Sequence, residues 1–288
     1  MRPTPIGILH PGAMGATVGR ALKQAGNPVF WMSAGRSAAT RARAEKEAFV
    51  DVSDIDTLMA EVSIIVSVCP PHGSESVVEQ VAATAFNGTF IDANAITPSR
   101  SAGQRDRVTS EGGRYLDGSI VGPPADREGT TRLYLSGEGS QEIAALFDGG
   151  VLDVIALDGN DFAASALKMA YAAYTKGSAA LLLAVSAAAH ELGVDEALRR
   201  EWQLSMPDLS ERADRLLQYA GRKAWRFEEE MRYIAETMAG AGLPDGFHVA
   251  AAEVYRRLSG QNAGTFPVDT ELTLFDLTAS DAHPTVPR

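Results

Sequence analysis

Ile6 to Met32, IGILHPGAMGATVGRALKQAGNPVFWM, reads as strand, glycine turn, helix and strand. The apolar run Ile6 to Leu9 enters a turn that holds Gly12 and Gly15. Val18, Leu22 and Ala25 follow at helical spacing, and Gly26-Asn27-Pro28 ends the helix with a left-handed cap and a residue that cannot continue it. Val29 to Met32 forms the next strand. This is the βαβ opening of a dinucleotide-binding fold, in which bare backbone amides and a helix N-terminus accept a pyrophosphate.

The expected G-x-G-x-x-G stands as His10-Pro11-Gly12-Ala13-Met14-Gly15. His10 replaces the first glycine. Gly12 keeps the task of letting backbone approach phosphate, and Gly15 that of letting the helix pack close on the sheet. Gly12, Ala13, Met14 and Gly15 are therefore the expected cofactor turn. After the second strand an NAD site places Asp or Glu to grip the ribose 2′-hydroxyl. Here the chain continues Ser33-Ala34-Gly35-Arg36-Ser37, with no acidic residue before Glu45. A guanidinium offers paired donors to a 2′-phosphate that a carboxylate would repel. The expected cofactor is NADP (NADPH), with Ser33, Arg36 and Ser37 at its phosphorylated ribose. Arg41 and Arg43 read as a solvated helix face.

Composition narrows the class. The chain has 288 residues, 45% hydrophobic and 22% charged, with a net charge of −11. That balance speaks against nucleic-acid or membrane-surface partners and leaves room for an anionic cofactor held by local donors. Cys69 is the one cysteine, so neither a disulfide nor a cysteine metal site is expected, and the five histidines show no ligand spacing. The start MRPTPIG lacks the layout of a signal peptide, and the uncharged run Gly177 to Ala189 is too short to span a bilayer. A cytoplasmic enzyme acting on a small molecule is expected.

Strands and helices alternate through the first half. Strands are expected at Glu61 to Val68, Gly88 to Ala93, Arg114 to Val121, Thr131 to Ser136 and Val151 to Leu157. Helices are expected at Ser37 to Ala48, Ser74 to Ala85 and Ser99 to Ser110. Apolar runs without alternation suit strands buried on both faces of a parallel sheet. At Asp158-Gly159-Asn160-Asp161 the texture changes to helix: Phe162 to Leu192, Asp195 to Ser205, Leu209 to Ala239 with a break near Gly221, and Gly246 to Ser259. The tail from Gly260, with Pro267, Pro284 and Pro287, reads as loose or draped on the surface. The fold class is α/β: a Rossmann-type doubly wound sheet (residues 1–158) followed by an all-α domain (residues 159–288). The strand ends Gly12, Ser33, Cys69-Pro70-Pro71 and Asn94 should converge on one cleft, capped by the helical domain.

The chain resembles the β-hydroxyacid dehydrogenase superfamily, the group of 6-phosphogluconate and 3-hydroxyisobutyrate dehydrogenases, and most closely a phosphogluconate-dehydrogenase-like branch with a short C-terminal helical domain. The family's G-L-G-x-M-G is similar to His10 to Gly15, including Met14. Its N-R-[ST] matches Gly35-Arg36-Ser37, its D-x-S-T-x-x-P matches Asp92 to Pro98, and its D-A-P-V-S-G-G falls on Asp117 to Pro123. Its catalytic lysine, in G-x-x-x-K-x-x-N-N, falls on Lys168. Two departures stand out: Val121 replaces the carboxylate-gripping serine, and Tyr171 replaces the lysine's asparagine partner.

The resemblance implies that Lys168 transfers the proton. A lysine on the apolar stretch AASALKMAYAAY otherwise reads as one snorkelling to the surface. Tyr171, on the same helix face, could orient the amine or pack on the sheet, while Lys176 reads as structural. Ser119 and the backbone of Val121 and Gly122 are candidates for holding substrate. His248 is a further candidate, reached across a dimer. Asn94 could meet the nicotinamide ribose or cap a turn. Cys69, Pro70 and Pro71 form the corner that the family places beside the cofactor, with Cys69 a small buried residue rather than a nucleophile. Three functions compete: an NADP-dependent oxidoreductase on a small 3-hydroxy acid or its carbonyl form, an imine reductase, and a non-catalytic NADP(H)-binding sensor. A homodimer is expected, because the helical half is small for enclosing a cleft.

Overall fold

The computed structural model describes residues 3–259, with backbone alone at 210–223 and 225. In chain order the strands are β1 (Ile6–Ile8), β2 (Val29–Met32), β3 (Val50–Val52), β4 (Ile64–Ser67), β5 (Thr89–Asp92), β6 (Arg114–Val121), β7 (Arg132–Ser136) and β8 (Asp153–Ala156). The helices are α1 (Ala13–Gln24), α2 (Ala38–Lys46), α3 (Ile55–Glu61), α4 (Ser74–Ala82), α5 (Pro98–Ser110), α6 (Ser140–Ala144), α7 (Ala163–Glu191), α8 (Asp195–Ser205), α9 (Asp208–Gly240) and α10 (Gly246–Ser259). The chain divides into two compact units, Met1–Met169 and Ala170–Arg288.

The first unit is built on one sheet in the order β3-β2-β1-β4-β5-β6-β7-β8. Its strands pair in parallel except β6 with β7. The uninterrupted apolar runs have a direct cause. Ile64, Val66 and Ile91 feed one core with Ile6, Ile8, Val18 and Leu22. The intervening Ile65 and Phe90 feed a second core with Leu58, Val77, Val81, Val108 and Tyr115. A strand covered on both faces needs apolar residues at every position. The order reverses direction between β1 and β4, so the ends of β1, β2, β4 and β5 are neighbours at the carboxyl edge.

Helix α1 ends as its sequence predicts. Gly26 takes φ +89°, its amide donates to Lys23 O, and that of Asn27 donates to Leu22 O. Other boundaries differ from expectation. Glu61 belongs to α3 and the strand begins at Ile64, because Asp54 accepts the Thr57 amide at 2.8 Å and starts a helix that absorbs the preceding residues. The short elements β3 and α6 escape periodicity altogether.

In the second unit, α9 runs unbroken through Gly221, which corrects the expected break. One glycine costs a helix only about 1 kcal/mol against alanine, less than packing along a long helix returns. Tyr255 on α10 is fully buried, stacks edge-on against Phe227 and donates to Lys176 O at 2.8 Å. Helix α7 is long and apolar enough to cross a membrane by length and composition, although 56% of its most apolar window is buried inside the protein. The tail from Gly260, including Pro267, Pro284 and Pro287, lies outside the described residues.

Candidate functional site

The glycine turn is shaped by what side chains would strike. A Cβ on Gly15 would lie 2.1 Å from His10 O, so the turn and α1 can close only on glycine. A Cβ on Gly12 would meet nothing within 4 Å. Gly12 starts α1 without any side-chain cap, Ala13 is exposed, and Met14 packs against the core. Open space thus faces a helix N-terminus whose first amides lack a side-chain acceptor, and an anion fits there.

Arg36 follows a turn in which its amide donates to Ser33 O and Gly35 takes φ +72°. Its Nε is buried without a hydrogen-bond partner among the described residues, as is Nδ1 of His10. The two side chains share a field: burial, then the Arg36 charge, pushes His10 down to about 4. A neutral imidazole and an unsatisfied guanidinium nitrogen suit an incoming phosphate. Ser37 caps α2 by accepting the Thr40 amide. Arg41 and Arg43 are exposed. Asp51, which sequence reasoning missed, arrives on β3 and accepts the Ser33 amide at 3.0 Å, so that amide is already committed. Its signal was three-dimensional, since β3 pairs beside β2.

Cys69 is half-buried and free. Burial, then the neighbouring Asp92, pushes its thiol up to about 11, so it is a neutral thiol and no nucleophile. Its amide donates to Asn94 Oδ1 at 2.6 Å, and Asn94 Nδ2 donates to Ser67 Oγ at 3.2 Å. Asn94 is buried and ties the end of β4 to that of β5. Pro70 is exposed, while Pro71 is buried in a short 3-10 turn.

Ser119 and Val121 are buried on β6, and Ser119 Oγ has no partner among the described residues. Gly122 holds φ +125°, and a Cβ there would strike Thr130 O at 2.4 Å. Lys168 Nζ donates to Ile120 O at 2.7 Å, which brings the amine to the end of β6. Asn160 Oδ1 accepts the Phe162 amide, and Asp117 Oδ2 accepts the Ser165 amide at 2.8 Å, so both cap the start of α7. Sequence reasoning quoted Asp117 within a motif without giving it this task. Tyr171 is 50% exposed.

Within the second unit, His248 is buried against Phe247 with its Nδ1 unpartnered, and burial lowers its pKa. Lys176 pairs with the buried Glu230 and lies 4.8 Å over the Phe227 ring, an arrangement that holds helices together.

Residues 5–147 match the NAD binding domain of 6-phosphogluconate dehydrogenase, and residues 189–258 match a domain of unknown function (DUF1932). The fold is similar to a conserved hypothetical protein from Sinorhizobium meliloti (21% identity, 95% of each chain, TM-score 0.73). It is also similar to 3-hydroxyisobutyrate dehydrogenase of Mycobacterium tuberculosis with L-serine (16% identity, 97% of this chain and 100% of that one, TM-score 0.71). A reductive aminase from Aspergillus terreus, in complex with NADPH and ethyl levulinate, shares the fold at 18% identity over 92% of this chain and 97% of that one, with a TM-score of 0.56. No curated protein sequence matches.

Proposed function

We propose that the chain, whose residues 5–147 match the NAD binding domain of 6-phosphogluconate dehydrogenase, is a member of the β-hydroxyacid dehydrogenase superfamily and an NADP-dependent enzyme interconverting a small 3-hydroxy acid and its carbonyl form. The observation that carries this reading is the lodging of Lys168: an amine on an otherwise apolar helix start, held at Ile120 O within the stretch that resembles the family's substrate loop.

Gly12, Ala13, Met14 and Gly15 would hold the pyrophosphate, and Arg36 with Ser33 and Ser37 the phosphorylated ribose. Cys69, Pro70, Pro71 and Asn94 would shape the nicotinamide end. The bound coenzyme supplies or accepts the hydride. Lys168 moves the proton: its ammonium protonates the carbonyl oxygen as charge builds there, and the neutral amine takes the alcohol proton in reverse. Ser119 and the backbone at Val121 and Gly122 position substrate; Tyr171 orients the amine, and His248 contributes from a second copy in a homodimer. The protein acts in the cytoplasm. Tyr171, half exposed where the family has asparagine, favours imine reduction as the second reading.

Fluorescence titration with NADPH and NADH tests the cofactor. Absorbance of NADPH followed against 3-hydroxy acids, semialdehydes and cyclic imines separates the two reactions. Lys168→Met should lower kcat by about 10²–10⁴-fold with binding retained. NADPH binding with no turnover on any of these would leave the sensor reading instead. Light scattering at the mass of one chain would remove the dimer.

A further inference from the structure

The register of the sheet lines up Ser67, Asp92, Asp117 and Ser136 as direct partners across β4, β5, β6 and β7. None is more than 1% exposed. They share the face of Ile65, Phe90 and Tyr115, so a polar row crosses an apolar layer. Two carboxyls stand side by side within it. Like charges directly opposite one another destabilise a sheet, and two buried anions would each carry a desolvation penalty.

The donors around each carboxyl differ. Asp117 Oδ1 accepts from Ser101 Oγ at 2.8 Å and from Ser165 Oγ, and Oδ2 accepts from the Ser165 amide at 2.8 Å and from Ser136 Oγ at 3.1 Å. Four donors suit an acceptor-only carboxylate, and one of them is an amide in the first turn of α7, where the helix favours an anion. Asp92 Oδ1 accepts the Asn94 backbone amide at 2.8 Å, and its Oδ2 is buried without a partner among the described residues. Among the described residues the titratable groups whose fields it shares are Cys69, Tyr115 and Asp117, none of them cationic.

We infer that the row holds a single negative charge, on Asp117, with Asp92 a neutral carboxylic acid beside it, and that this charge fixes the first turn of α7 and so positions Lys168. Burial pushes both carboxyls upward, Asp92 to about 7; at Asp117 the four donors oppose it, at Asp92 those of Asn94 alone. Ser165 carries two of the contacts to Asp117 and precedes Lys168 by three residues on the same helix. Asp117 is thus a positioning residue. That last step rests on the role proposed for Lys168; the charge assignment does not.

Infrared difference spectroscopy at mildly acidic pH, below the folded pKa of Asp92, tests the assignment without any substrate. The wild type should show the carbonyl stretch of a protonated carboxyl that D92N lacks. Absence of that difference overturns the assignment. Isosteric variants then test the consequence. D92N keeps the Asn94 contact and should melt no lower than the wild type, whereas D117N turns an amide toward the Ser165 amide. D117N should lower kcat about a hundredfold with the NADPH Kd unchanged. S165A, which keeps the backbone contact, gives the same kind of loss on a smaller scale if D117N fails to fold. Equal damage from D92N and D117N, or a loss confined to KM, overturns the positioning role. A band difference without turnover in any variant would uphold the charge assignment while removing the dehydrogenase reading.

Discussion

The glycine turn and the buried polar row stand at the same edge of one sheet, and opposite physics makes them. The turn works through missing side chains: Gly15 has no room for a Cβ, and Gly12 leaves open space before a helix N-terminus. The row works through side chains that are present and buried, one carboxyl held by donors on three elements and its neighbour left with an unpartnered oxygen. The first feature is local in sequence. The second joins residues on four strands and exists only once their register is set. A site for an anion can thus be built from backbone alone, whereas placing one charge in the interior takes donors from distant elements.

The largest expected effect would break the turn. Gly15→Ala drives a methyl group against His10 O, and no flexible side chain can yield. Overpacking of this kind costs roughly 1–3 kcal/mol, more than the ~1 kcal/mol that alanine returns in helix propensity. Chemical denaturation should show a net loss of stability, with NADPH binding abolished. Next is Arg36→Gln, which removes a charged donor whose Nε is unsatisfied. The NADPH affinity should fall by about 1.5–3 kcal/mol while that for NADH stays level, read by paired titrations.

The row gives a pH signature. The folded pKa of Asp92 is raised to about 7 from an ordinary 3.8, so the folded chain holds a proton that the unfolded chain releases. The stability tied to that proton is complete below the ordinary value and is lost as pH rises through the folded one. D92N has no such proton. Its melting temperature relative to the wild type should therefore climb across that interval and level off above it; a gap independent of pH would contradict the charge assignment. The smallest effect sharpens the contrast at the turn. Gly12→Ala enters open space and should change stability by no more than about 0.5 kcal/mol, yet weaken NADPH binding by filling the approach to the pyrophosphate.

Legibility in the sequence followed the same divide. The strands β2 and β6 and the helices α8 and α10 fall where patterning placed them, because each carries a strong local period or cap. The short β3 and α6 did not, since three to five residues hold no period. The Arg36 reading rested on a gap without acidic residues, and β3 brought Asp51 into that neighbourhood from outside it. Asp117 was visible as a motif letter, while its four donors come from α5, β7 and α7.

By itself the sequence determined the βαβ opening, the doubly wound first half, the helical second half and the position of Lys168, because hydrophobic period, glycine spacing and caps act over a few residues. Only the tertiary structure decided that Asp92 and Asp117 stand side by side, that Asp51 reaches Ser33, and that the Lys168 amine meets Ile120 O. Those contacts span 18 to 48 positions along the chain. They arise from strand register and helix placement, which no local pattern records.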